Sequence, residues 1–381
     1  MSTRGAGPVS FRDALFRGLA DDGGLYVPER LPDLRRAAPT ASPDFPANAS
    51  WAAQCFLEGA MDAASLQEVV RAALDFPVPL VQIDDDIHVL ELFHGPSLAF
   101  KDVGARFMAR AMEALAPAGA ERSTVLVATS GDTGGAVAAA FHGVAPYRVV
   151  VLFPRDGISP RQRRQMTTLG GNVIAVAVDG TFDDCQRLAK EAFADPELRE
   201  ACGLTSANSI NVGRLLPQAL YYIHAAAALG WGGRPATFVV PSGNLGNLCA
   251  GLLAFRSGMP ARGFVAALNR NRAFADYLER GTHRARPSLA THSNAMDVGD
   301  PSNLERIRWL YGDDVIALGQ DVRAVSSGDR ETRAAIARVF QRSGYVMDPH
   351  TAVGWCALEQ ERRGSEGPWV LLSTAHPSKF P

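Results

Sequence analysis

Thr124-Val125-Leu126-Val127-Ala128-Thr129-Ser130-Gly131-Asp132-Thr133-Gly134-Gly135 passes from five apolar or β-branched residues into a turn of hydroxyls and glycines, and small residues follow to 141. A short apolar run closed by a polar glycine turn reads as a buried strand, and the small-residue run behind it as a helix. The same unit recurs outward in both directions. Apolar segments at 80–83, 87–92, 148–153, 173–178, 237–240, 263–267 and 370–372 alternate with helical patterns at 101–116, 134–141, 182–193, 215–229, 248–255 and 331–342. Such alternation predicts α/β layers built on largely parallel sheets. Ligands of such sheets sit at the carboxyl ends of the strands, in the loops that enter the next helix.

The first 79 residues read differently. Ser10 is placed to cap a helix in which Phe11, Leu15 and Leu19 recur every four residues, and Asp21-Asp22-Gly23-Gly24 stops it. A loop with Pro28, Pro32, Pro39, Pro43 and Pro46 follows, then helical patterns at 51–61 and 66–74. Pro77 and Pro79 mark a boundary. The expected organisation is a small, mostly helical N-terminal domain, 1–79, and an α/β domain of two subdomains, 80–381.

Hydrophobic residues make up 47% of the chain, charged residues 20%, and the net charge is -2. That is an ordinary globular composition without the basic excess that nucleic acid or an anionic membrane favours. No apolar run approaches the roughly 18 residues of a membrane span. The first ten residues lack the apolar core of a signal peptide, so a cytoplasmic protein is expected. Cys55, Cys185, Cys202, Cys249 and Cys356 form no Cys-x-x-Cys, and the eight histidines show no ligand spacing. Neither a disulfide framework nor a metal site is expected.

Only three of the 38 basic residues are lysines: Lys101, Lys190 and Lys379. A compositional bias of the kind that GC-rich codon usage produces would account for most of that scarcity. It still confines imine chemistry to three side chains, because a guanidinium stays protonated. Lys101 stands near the end of Glu91-Leu92-Phe93-His94-Gly95-Pro96-Ser97-Leu98-Ala99-Phe100-Lys101-Asp102, behind an apolar tripeptide and at the start of a helix. A partly dry pocket and a helix N-terminus both disfavour the ammonium form, which leaves the neutral amine available as a nucleophile. Lys190 lies in an acidic amphipathic helix beside Glu191 and reads as solvated.

Two further loops have the makings of anion sites. The 129–133 turn offers hydroxyls and backbone N–H groups at a helix start, where a carboxylate fits as well as a phosphate. Pro241-Ser242-Gly243-Asn244-Leu245-Gly246-Asn247 follows a strongly apolar strand and leads into another helix. Its two glycines allow close backbone approach to a phosphate, although it matches neither of the common nucleotide-binding glycine motifs. Near the chain's end, Leu372-Ser373-Thr374-Ala375-His376-Pro377 closes a strand on two hydroxyls at the same predicted edge.

Leu92-Phe93-His94-Gly95-Pro96 followed by Ala99-Phe100-Lys101-Asp102 resembles the cofactor-lysine segment of the threonine synthase family in its longer bacterial and fungal form. The wider group is the fold-type II pyridoxal-phosphate (PLP) enzymes. Residues 129–134, 206–211, 241–246, 293–298 and 374–380 resemble that family's other motifs, in the same order. The resemblance implies two α/β subdomains around a central PLP cleft, with Lys101 as the catalytic Schiff-base lysine. It places Ser242, Gly243, Asn244, Leu245, Gly246 and Asn247 around the cofactor phosphate, Thr374 at the ring nitrogen and Asp132 near the ring hydroxyl. It gives the substrate carboxylate to Thr129, Ser130, Gly131 and Thr133, with Ser97 close by. Ser159, Arg161, Asn208, Arg214 and Lys379 are candidates for a clamp on a substrate phosphate. The implied enzyme, a monomer or homodimer, turns O-phospho-L-homoserine and water into L-threonine and phosphate. The alternative is a threonine or serine dehydratase, which shares the cofactor but needs no second phosphate site. Leu245 stands where the family usually has Phe, and Ser97 where it usually has Thr. The family pattern continues beyond the last motif, which falls at the end of this sequence.

Overall fold

The structure, a computed structural model, describes residues 1–36, 39, 42, 44–116, 123–363 and 367–380. The rest of the proline-rich loop, Pro43 included, lies outside the described residues. The strands are β1 (Leu80–Asp84), β2 (Ile87–Glu91), β3 (Thr124–Ala128), β4 (Arg148–Pro154), β5 (Val173–Val178), β6 (Leu204–Ser206), β7 (Thr237–Pro241), β8 (Gly263–Leu268), β9 (Val322–Ser326) and β10 (Trp369–Ser373). They form a six-stranded sheet, β1-β2-β10-β7-β8-β9, and a four-stranded sheet, β5-β4-β3-β6. All neighbours are parallel except β1 and β2, whose connection is too short for anything but an antiparallel hairpin.

Strands β3, β7 and β10 are buried at every residue. A parallel strand covered on both faces has no solvent side, which is why these segments read as unbroken apolar runs. Edge strand β5 leaves Ile174 and Val176 exposed. Strands β6 and β9 were not expected. The first has three residues and the second carries Arg323 and Ser326, so neither presents an apolar run.

The first helix, Phe11–Arg17, is capped by Ser10, which accepts from the Asp13 N–H. It ends before Leu19, because Gly18 takes φ 74° and turns the chain. The next helix, Phe45–Phe56, begins well before the expected 51. Asp44 caps it, and Pro46 sits in its first turn, where a missing N–H leaves no bond unmade. The helix expected over 215–229 is divided at Pro217 into Val212–Leu215 and Gln218–Ala228. N-terminal residues Leu15, Phe45 and Val70 pack in one cluster with Met108, Tyr222 and Leu248.

The carboxyl ends of both sheets meet one cleft of about 1720 Å³. The segments that follow β3, β6, β7 and β10 line it, together with Lys101.

Candidate active site

The segment after β2 is strapped to the exit of β10. Leu92 N–H donates to Ser373 O (2.9 Å), Phe100 N–H to Thr374 O (2.9 Å) and His376 N–H to Leu98 O (3.0 Å). A Cβ on Gly95 would stand 2.5 Å from Asp102 Oδ2, so only glycine passes there. Leu98 is held at φ 57°, a conformation that opposes its own Cβ. These contacts deliver Lys101 to the start of the helix Lys101–Leu115 with its side chain 16% exposed. Burial pushes its ammonium down to about 8; Asp132 works the other way, and Lys379 and Arg214 add to the lowering. The Lys101 amine is 4.0 Å from Asp132 Oδ2, too far for a hydrogen bond. Asp102, one residue on, is buried; it accepts from Ser97 N–H, and burial pushes it up to about 6.

After β3, Thr129 Oγ1 accepts from the N–H groups of Gly131 (2.9 Å) and Gly134 (2.8 Å), which folds the turn. Gly131 has φ 134°, and a Cβ there would meet the Gln162 amide at 2.6 Å. Asp132 opens the helix Asp132–Phe141 and is 2% exposed. Its Oδ1 accepts from Lys379 Nζ (2.7 Å) and Gln162 Nε2 (3.0 Å). Burial opposes its ionisation, but Lys379 and Lys101 outweigh that and hold the carboxyl below the usual carboxylate range. Ser130 and Thr133 line the cleft beside it.

After β7, the glycine loop is braced from behind. A Cβ on Gly243 would lie 2.7 Å from Met296 Cα, so this glycine is required by packing of one backbone on another. Asn244 donates to Ser209 Oγ (2.8 Å) and accepts from Ser302 N–H (2.6 Å). Asn303 donates to Asn244 O (3.0 Å) and to Ser209 Oγ (3.1 Å). Leu245 takes the left-handed conformation, φ 59°, and places the start of the helix Gly246–Arg256 at the cleft. The first N–H groups of a helix have no acceptor within it and attract an anion. Asn247 Oδ1 accepts from Tyr221 and Tyr222, both at 2.7 Å, while its buried Nδ2 has no partner among the described residues. Ser242 Oγ donates to Val240 O (2.8 Å), and Thr374 lines the cleft from the end of β10.

The proposed phosphate-clamp residues do not all converge. Arg214 is 3% exposed and reaches the cleft. It donates through Nη1 to Ala207 O, while its Nε finds no acceptor among the described residues. Burial pulls its guanidinium down to about 10 against the pull of Asp102. Asn208 also lines the cleft, bonded through both amide atoms to the backbone of Ala128. Ser159, in contrast, is the cap of the helix Pro160–Thr167, and Arg161 is exposed and donates to Ser378 O (2.8 Å). Neither borders the cleft. Lys379 is sealed behind Asp132, and Ser97 is buried with its hydroxyl unpartnered among the described residues.

Two residues escaped the sequence reading. Gln162 completes a capping box with Ser159 while its amide holds Asp132, and the Ser-x-x-Gln spacing was there to be read. His350 lines the cleft with Nε2 accepting from Ala295 N–H (3.1 Å), so its proton sits on Nδ1, toward Asp348 Oδ2 (2.5 Å). Asp348-Pro349 marks a helix start but carries no sign of that role. No cluster able to hold a metal and no helix able to cross a membrane occurs among the described residues.

A family model described as pyridoxal-phosphate dependent enzyme matches residues 76–374, and one described as threonine synthase N terminus matches residues 1–74. Threonine synthase of Haemophilus influenzae is 43% identical over 98% of this chain and 87% of its own length. The crystal structure of threonine synthase from Escherichia coli superposes with a TM-score of 0.93 at 42% identity, covering 100% of this chain and 88% of that one. A PLP-bound threonine synthase structure from Brucella melitensis gives 0.92 at 39% identity, covering 100% and 89%.

Proposed function

This chain belongs to the threonine synthase family of PLP-dependent enzymes, and from that premise we propose that it converts O-phospho-L-homoserine and water into L-threonine and phosphate, with Lys101 as the cofactor lysine. The observation that carries this reading is a cleft with provision for two phosphates besides the 129–133 turn for a carboxylate. One is the start of the helix Gly246–Arg256 with its glycine loop; the other is the buried Arg214, whose Nε lacks an acceptor among the described residues. A dehydratase needs only the first phosphate site.

The residues fit the cofactor. The unpartnered Asn247 Nδ2 and the helix N-terminus offer donors to its phosphate, with Ser242, Gly243, Asn244, Leu245 and Gly246 forming the loop. Asp132 and Thr374 would face its ring from opposite sheets. When bound, PLP supplies the electron sink that makes C–H bonds of an amino-acid substrate acidic. Lys101 carries the protons at the substrate's α- and β-carbons. With burial pushing its ammonium down to about 8, far more of it is neutral near neutral pH than of an ordinary lysine. Thr129, Ser130 and Thr133 hold the substrate carboxylate by hydroxyls and helix-start N–H groups, while Gly131, which does not border the cleft and gives its N–H to Thr129 Oγ1, shapes the turn. Arg214 and Asn208 hold the phosphate, and the guanidinium stabilises the charge that develops as it leaves the γ-carbon. A proton then goes to the γ-carbon, which becomes the methyl group, water adds at the β-carbon, and Lys101 returns a proton to the α-carbon. We place the enzyme in the cytoplasm, as a monomer or homodimer.

The test is a substrate panel with phosphate and threonine both quantified. O-phospho-L-homoserine should give equal amounts of the two, and unphosphorylated homoserine almost none. Faster keto-acid formation from L-serine or L-threonine than threonine formation from the phospho-substrate would move the chain to dehydratase chemistry.

A further inference from the structure

Lys379 ends the short helical turn Pro377–Lys379 beyond β10, and its side chain is 0% exposed. Its ammonium has two acceptors: Asp132 Oδ1 at 2.7 Å and Ser97 O at 2.8 Å. The same Asp132 oxygen takes the Gln162 amide at 3.0 Å, and Gln162 is itself pinned by Ser159 N–H at 2.9 Å. One face of the carboxylate is thus occupied by fixed donors. The other oxygen, Oδ2, faces Lys101 Nζ across 4.0 Å. Three charges, positive, negative and positive, stand in a row inside a dry site, and only Lys101 at one end borders the cleft with Asp132.

We propose that Lys379 is a positioning residue for the cofactor lysine: it holds Asp132 back from Lys101 and cancels its charge, and it does not bind the substrate phosphate. The proposal rests on the reading that Lys101 carries the cofactor. A desolvated carboxylate without another cation would close on the Lys101 amine and fix it as an ammonium. With Lys379 bonded to its far side, Asp132 stays ionised and anchored, and Lys101 sees a nearly neutral pair. The other charged groups facing Lys101 are Arg214 and Asp348, and His350 is bonded to Asp348. Composition points the same way. Arginine supplies nearly all the positive charge of this chain, yet a lysine occupies this sealed position. A single compact ammonium bonds Asp132 and Ser97 O together, where a planar fork on a longer stem would need more room.

The reactivity of Lys101 tests this in the full-length chain. Cofactor-free protein is labelled with acetic anhydride across a pH series, and the Lys101 peptide is followed by mass spectrometry. Lys379→Gln should raise the midpoint for Lys101 by about one to two pH units. In the holoenzyme, the pH midpoint of the cofactor's visible band should shift in Lys379→Gln as well. An unchanged Lys101 midpoint in a folded Lys379→Gln protein would overturn the proposal and leave Lys379 a latch for the final turn. Should that variant fail to fold, Asp132→Asn is compared with Asp132→Asn/Lys379→Gln, which buries no lone carboxylate. The Lys101 midpoint must be higher in the double variant, because the repelling charge is gone; equal values overturn the proposal. Borohydride fixation separates the two claims. Cofactor fixed to a peptide other than that of Lys101 defeats the cofactor assignment, whereas cofactor on Lys101 without a midpoint shift defeats only the role of Lys379.

Discussion

Gly243→Ala places a methyl carbon 2.7 Å from Met296 Cα and 3.1 Å from Ala295 O, both backbone atoms. Ordinary contact begins near 3.4 Å, so one of two backbone segments must give way by about 0.7 Å. Gly243 does not have a positive φ, so the effect is steric and not conformational. Overpacking of this kind costs about 2 kcal/mol. Over 381 residues the unfolding entropy is about 0.8 kcal/mol/K, so the melting temperature should fall by about 2–3 °C. The larger consequence lies in function. A loop displaced by about 0.7 Å no longer presents the helix start to a phosphate at hydrogen-bond distance, and loss of one such bond to a charged group is worth about 1.5–3 kcal/mol. Cofactor affinity should therefore drop about 10- to 100-fold. The assay is spectroscopic titration of cofactor-free protein with PLP, beside thermal unfolding of the variant and the parent. Parental PLP affinity in Gly243→Ala would refute the reasoning.

Arg214→Lys should reduce kcat/KM for O-phospho-L-homoserine by about 10- to 100-fold, from the loss of one or two charge-assisted bonds, while PLP titrates as in the parent. A matching loss of PLP affinity would assign Arg214 to the other phosphate. Arg306 is buried and donates to Tyr26 O, Ser209 O, Ile210 O and Asn303 Oδ1, tying the N-terminal segment to the wall behind the glycine loop. Arg306→Met strands these acceptors and should cost about 3–5 kcal/mol in urea unfolding. Asp102 has its carboxyl raised by burial from 3.8 to about 6, so the folded state holds a proton that the unfolded state has released between those values. That contribution is fully present below about pH 4 and is lost as pH rises through about 6. Asp102→Asn should make stability less dependent on pH across this window, as measured by urea unfolding at pH 4.5 and 6.5. An unchanged difference between the two pH values would remove Asp102 from the account.

The parts of the fold visible in the sequence are those whose environment repeats along the chain. Strands β3, β7 and β10 are covered on both faces, so their interior residues are apolar, with Thr124, Thr237 and Ser373 only at their ends, and the glycine- and hydroxyl-rich turns behind them stood out by contrast. Lys101 was legible for a related reason: its helix start and its apolar approach are local. Strand β6 was hidden because three residues along one partner need no pattern of their own. Pro46 and Pro217 misled in opposite senses. The first fits inside a helix because it lies in the first turn, and the second divides what periodicity alone would run together.

The sequence by itself determined the layer architecture, the loops that carry polar groups and the few amines able to react, because side-chain period and turn chemistry act over a handful of residues. Only the tertiary structure decided which polar groups meet. Ser159 and Arg161 share the composition of a phosphate clamp, yet one caps a helix and the other holds a carbonyl at the surface. Lys379 and Ser97 are 282 positions apart and touch, and Arg306 reaches a carbonyl 280 positions away. Such meetings follow from how two sheets and their helices pack. A buried charge takes whichever partner that packing brings within about 3 Å, and no local pattern along the chain records which one it will be.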